Sequence, residues 1–141
     1  MNVLKNNKFI FSLFLFCSGL TYWIYSNGFT GAFYFDDFRP LGALEDIHDY
    51  SSALQYIMNE TSGPLGRPIA MSSFLLNIGD WSNHPENFFR INTIIHIING
   101  LLVYLVSFKL FKLLKPKSKY HAILALLVSL FWLVLPLNVS T

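Results

Sequence analysis

Two adjacent carboxylates, Asp36 and Asp37, stand in an aromatic stretch at residues 31–40 (GAFYFDDFRP). Partial burial beside a membrane would raise the cost of keeping such a pair ionised. A carboxylate held this way suits a general base that takes a proton from a hydroxyl. The plainer reading is an acidic turn or helix cap on a solvated loop. Arg67 lies between Gly66 and Pro68, at an expected helix start. There its guanidinium fork and the helix-end N–H groups suit phosphate oxygens; pairing with a nearby acid is the competing reading. Asn92, His96 and Asn99 recur at 0, +4 and +7, on one helical face. Polar groups at membrane depth line wet cavities or bundle interiors, or simply make interhelical hydrogen bonds of about 0.6 kcal/mol. The four histidines, His48, His84, His96 and His121, are dispersed. No HExxH, phosphate-loop, GxSxG or dinucleotide fingerprint occurs, so neither metal nor cofactor is expected.

The elements that must position these residues are apolar. Only 13% of the 141 residues are charged and 53% are hydrophobic, against roughly 25% charged in soluble domains. A net charge of +2 lacks the strongly basic balance of a nucleic-acid binder. A single cysteine, Cys17, excludes a disulfide framework or a CxxC pair. Three apolar runs, 9–25, 91–108 and 120–137, each reach the roughly 17 to 25 residues needed to span a bilayer, and in lipid each must be helical. The expected fold is therefore an all-α polytopic membrane protein with three transmembrane helices.

Charge sets the expected orientation. Residues 1–8 carry Lys5 and Lys8, and the 109–119 loop carries Lys109, Lys112, Lys115, Lys117 and Lys119, for +7 without an acid. Residues 26–90 hold all eight acids and three Arg, for −5. The positive-inside rule puts the N-terminus and the basic loop in the cytoplasm, with the 26–90 loop and residues 138–141 outside. Tyr22, Trp23 and Tyr25 fit an aromatic belt at the outer end of the first span. Lys5, Lys8 and the following apolar run could also open a cleaved signal peptide, but the run exceeds the usual 7–15 residues and no A-x-A site follows. A signal-anchor helix fits better.

The outer loop is too long to be a plain connector. Leu44, Ile47, Tyr50, Leu54, Ile57 and Met58 predict an amphipathic helix over 41–59, lying on a membrane surface or packed within the loop. Residues 61–66 (TSGPLG) predict a turn. Pro68 then starts a second short helix over 68–78, too short to span and apolar nearly all round.

Taken in order, these pieces resemble the N-terminal portion of GT-C-type membrane glycosyltransferases. They are a cytoplasmic N-terminus, a first span, Asp36-Asp37, Gly66-Arg67-Pro68, and Phe89-Arg90-Ile91-Asn92-x-x-x-His96-x-x-Asn99. The nearest resemblance is to the transmembrane, tetratricopeptide-repeat O-mannosyltransferase-like branch and its bacterial relatives. Residues 135–141 (LPLNVST) also look like that family's turn after its third span. The resemblance implies that Asp36 or Asp37 is the base on an acceptor hydroxyl. It implies that Arg67 steadies the phosphate of a polyprenyl-phosphate-linked sugar donor, and that Asn92 and His96 line the cavity. The implied partners are membrane lipid, that donor, and a protein or glycan hydroxyl acceptor; the implied location is a bacterial cytoplasmic membrane. Family members have about nine or more spans, so the chain is expected to be a fragment of a larger bundle, inactive alone. The competing expectation is a non-enzymatic three-span accessory or assembly subunit that docks a partner through its acidic loop.

Overall fold

The first apolar run needs no charged residue for about five turns, and it forms α1, Asn7–Ser26. In the computed structural model, residues 7–30, 38–59, 67–81 and 83–135 are described. Among them every regular element is helical: α1; α2, Phe38–Gly42; a 3-10 turn, Ala43–Asp46; α3, Tyr50–Met58; α4, Pro68–Phe74; a 3-10 turn, Leu75–Asn77; α5, Pro85–Leu114; and α6, His121–Val134. The chain divides into two units, Met1–Asn27 with Asn92–Thr141, and Gly28–Ile91.

In the first unit, α1 buries Ile10, Phe14, Ser18 and Thr21, spaced near three and four residues as one helical stripe requires. Its other faces are just as apolar yet exposed, with Phe11, Leu15, Phe16, Trp23 and Ile24 outward. Side chains then stop it. Asn27 Nδ2 donates to Trp23 O at 3.1 Å and to Ile24 O at 3.2 Å, and Ser26 Oγ donates to Trp23 O at 2.7 Å. These bonds occupy carbonyls that the helix end would leave open.

α5 extends six residues beyond the expected span at each end, from Pro85 to Leu114. Pro85 at the first position costs no hydrogen bond, and Glu86 in the first turn and Lys112 in the last oppose the helix dipole favourably. Its 30 residues rise about 45 Å at 1.5 Å each. The turn to α6 is closed by Ser118 N donating to Lys115 O at 2.9 Å and by His121 Nε2 donating to the same carbonyl at 2.7 Å. α6 has 14 residues, a rise of about 21 Å. Thus, among the described residues, two helices, in α1 and α5, are long and apolar enough to cross a membrane, and α6 is a shorter apolar helix.

Small residues let α5 and α6 approach. Ser129 Oγ donates to Gly100 O at 2.6 Å, and a Cβ on Gly100 would lie 2.6 Å from Leu133 Cδ2. Only glycine fits there. Ile10, Phe14, Leu126 and Leu133 form the buried cluster of this unit.

The second unit packs α2, α3, α4 and their 3-10 turns around Leu41, Leu44, Tyr56, Met71 and Phe88. Tyr56 brings its hydroxyl into this core by donating to Pro40 O at 3.0 Å. The stretch expected as one helix over 41–59 is broken. Ile47 and Asp49 are extended, and Asp49 Oδ1 accepts from Ser52 N at 2.7 Å while Ser52 Oγ accepts from Asp49 N at 3.0 Å. This reciprocal capping box offers the backbone a helix start that outcompetes continuation. The break resets the helical phase. Tyr56 turns inward, while Tyr50 and Met58 stay 79% and 73% exposed. α4 begins at Pro68, whose missing N–H is harmless at that position.

Candidate functional site

Three elements meet at the carbonyl of Leu133, in the last turn of α6. His96 Nε2 on α5 donates to it at 3.1 Å, and the Tyr25 hydroxyl on α1 donates at 3.5 Å. A carbonyl only accepts, so His96 carries its hydrogen on Nε2. The imidazole is 3% exposed. The Tyr25 ring meets it edge-on with centroids 5.7 Å apart, and Trp132 stacks on it at 6.1 Å. Its second nitrogen, Nδ1, is buried with no hydrogen-bond partner among the described residues. The arrangement fixes the ring and leaves one acceptor in an aromatic surround. It can orient a donor or steady the end of a helix; among the described residues it holds no charge partner.

The face expected from Asn92, His96 and Asn99 is divided. His96 is buried, Asn92 half-buried and Asn99 exposed. The face of α5 that turns into its unit runs instead through Thr93, His96 and Gly100, and Thr93 is only 1% exposed. Helical sequence spacing found the right side of the helix but misjudged its centre by a fraction of a turn. The glycine inside an apolar run was the available signal.

Arg67 lies in the other unit, exposed, immediately before α4, and its carbonyl accepts from Met71 N at 2.9 Å. Asp36 and Asp37 lie outside the described residues. The described residues contain no group of three or more His, Cys, Asp or Glu able to hold a metal ion.

A second constellation escaped the sequence reading. Asp80 accepts from Asn77 Nδ2 at 3.1 Å, and its carbonyl accepts from His84 N at 2.9 Å. Hydrogen bonds from Asn77 first, and then Asn87, hold the Asp80 carboxyl below the usual carboxylate range. Gly79 just before it has φ of 92°, a left-handed conformation that glycine adopts without strain. This turn carries Trp81, whose ring meets Phe38 edge-on at 5.8 Å. Compared with known proteins, the chain matches no family model, no curated protein and no solved structure.

Proposed function

We propose that this chain forms part of a GT-C-type membrane glycosyltransferase, moving a sugar from a polyprenyl-phosphate donor to a protein or glycan hydroxyl outside a bacterial cytoplasmic membrane. The observation that carries the reading is a separately packed, acidic unit inserted between two helices long enough to cross a membrane. In this reading α6 is a third span, the N-terminus is cytoplasmic and the 26–90 loop is outside. Asp36 or Asp37 takes the proton of the acceptor hydroxyl as its oxygen bonds to the anomeric carbon. The bond from that carbon to the lipid phosphate breaks, and Arg67 steadies the departing phosphate with paired hydrogen bonds. Asn92 and His96 bound the cavity. Three helices cannot enclose a lipid-linked sugar, so in this reading catalysis needs further helices around the cavity.

A second reading, a non-enzymatic accessory subunit docking through its acidic loop, is favoured by one observation. His96 already bonds Leu133 O, as a structural residue would. One experiment decides between them. The protein assembled with its remaining helices in proteoliposomes is supplied with polyprenyl-phosphate sugar and a hydroxyl acceptor. Asp36→Asn and Asp37→Asn are then compared with the unaltered protein. Loss of a general base lowers transfer by about 10²-fold or more in one of the two. Full transfer in both removes the catalytic assignment, and the absence of transfer from the unaltered assembly favours the accessory subunit.

A further inference from the structure

The unit made of Met1–Asn27 and Asn92–Thr141 carries seven lysines and not one Asp or Glu, because all eight acids fall within Gly28–Ile91. Folding gathers this charge at one end. Phe108 of α5 meets His121 of α6 edge-on at 6.4 Å. Ile10 and Phe14, near the start of α1, share a buried cluster with Leu126, against which Ala122 and Ile123 also pack. The Leu133 carbonyl, bonded by Tyr25 and His96, marks the other end. The start of α1, the end of α5 and the start of α6 therefore lie together. Lys8 thus joins Lys109, Lys112, Lys115, Lys117 and Lys119, all of them exposed. The backbone that presents the last three is held in place, since Lys115 O accepts from both Ser118 N and His121 Nε2. No side chain of this unit can neutralise these lysines, so their counter-charge comes from outside it.

In a bilayer the depth of this end is set by α5. Residues 91–108 are 18 positions without a charge, a rise of about 27 Å against a hydrocarbon core of about 30 Å. Residues 109–114 continue the helix for about 9 Å more, through a headgroup layer of about 5–7 Å. The lysines thus stand at the level of lipid phosphates. Their neighbours separate a lipid from a water-borne partner. Leu113, Leu114 and Tyr120 are exposed and alternate with Lys112, Lys115 and Lys119. A hydrated acidic peptide or nucleic acid would leave these leucines against water or polar groups. A lipid interface satisfies both kinds of side chain, with apolar groups toward the acyl chains and ammonium groups reaching the phosphates. Zwitterionic headgroups cancel their own charge, so net compensation falls to anionic lipid. We infer that this end of the unit binds anionic phospholipid, its lysines on headgroup phosphates and Leu113, Leu114 and Tyr120 against the upper acyl chains. The inference requires that α5 cross a bilayer and nothing of the transferase reading.

The test reconstitutes the full chain in phosphatidylcholine vesicles with a trace of spin-labelled phosphatidylglycerol or spin-labelled phosphatidylcholine. The motionally restricted fraction of each label gives its relative association with the protein, and symmetric vesicles make orientation immaterial. Phosphatidylglycerol is favoured about fivefold at low salt, the factor that one lysine supplies at an anionic surface. The preference shrinks toward unity at 1 M salt, where the screening length is about 3 Å. The triple variant Lys115→Gln, Lys117→Gln, Lys119→Gln loses most of it. The matching triple Arg variant keeps it, which ties the effect to charge and guards against a folding defect. Glycerol 3-phosphate at the same concentration does not displace the lipid. Equal association of the two labels at low salt overturns the inference, as does a preference that the triple Gln variant leaves unchanged. Displacement by glycerol 3-phosphate, or saturable binding of oligoglutamate with no lipid preference, assigns the lysines to a water-borne anion and also overturns it.

Discussion

Gly100 concentrates the packing of the helical unit into one missing methyl group. Leu133 Cδ2 and Cγ would lie 2.6 and 2.9 Å from an added Cβ, and Leu133 is fully buried with nowhere to retreat. Overpacking of this kind costs about 1–3 kcal/mol, so Gly100→Ala should lower stability in mixed-micelle denaturation by that amount. Leu133→Ala placed on top of it should recover part of the loss by removing the clashing atoms. Ser129→Ala should be milder, near the average of about 0.6 kcal/mol for an interhelical hydrogen bond in lipid. If Gly100→Ala is neutral, the close approach of α5 and α6 is wrong. None of this could be read from the sequence alone. Gly100 and Ser129 are 29 positions apart, and no local spacing rule joins them. His96 was legible because a histidine in an apolar run is conspicuous. Its carbonyl partner, a backbone atom of another helix, was not.

At the scale of elements, side-chain chemistry near helix ends overrode apolar rhythm. The start of α4 was legible because proline has one natural place in a helix. The break before α3 was written as Asp49-x-x-Ser52 but masked by an apolar repeat that continued across it. The turn between the Leu75–Asn77 3-10 element and α5 is governed in the same way by Asp80. Its carboxyl titrates lower in the folded chain than in the unfolded one because Asn77 and Asn87 bond the ionised form. The unfolded chain therefore takes up the proton first as pH falls. The contribution to stability is complete above the ordinary Asp value of about 4 and disappears as pH drops through the lower folded value. Tryptophan emission followed into acid should show this loosening at Trp81, identified by its absence in Trp81→Phe. Asp80→Asn should lack the transition; an unchanged acid profile in Asp80→Asn would place its cause elsewhere.

For the whole molecule, charge separation makes the boldest demand. Lysines crowd the short α5–α6 turn and the N-terminus, while seven of the eight acids sit between the two long helices and the eighth, Glu86, is in the first turn of α5. With Cys17→Ser as background, Ser51→Cys should react with a membrane-impermeant maleimide in intact cells, and Ser118→Cys only after permeabilisation. The reverse pattern would invert the orientation inferred from the lysines. Composition and helix length made the helical class and the long apolar helices legible, because the bilayer tests both directly. The acid pair at 36–37 lies outside the described residues, so its chemistry remains with the transfer experiment.

The double hydrogen bond at Leu133 O also says something about birth order. α6 is about 21 Å long, roughly 9 Å less than a hydrocarbon core of about 30 Å, and such a helix would partition poorly by itself. Synthesis delivers α1 first, α5 second and α6 last. By the time α6 emerges, Tyr25 and His96 have already been made and can receive the Leu133 carbonyl of its last turn. If α6 is a third span, the earlier helices act as a receptor for the later one, and retention of α6 becomes a recognition event within the chain.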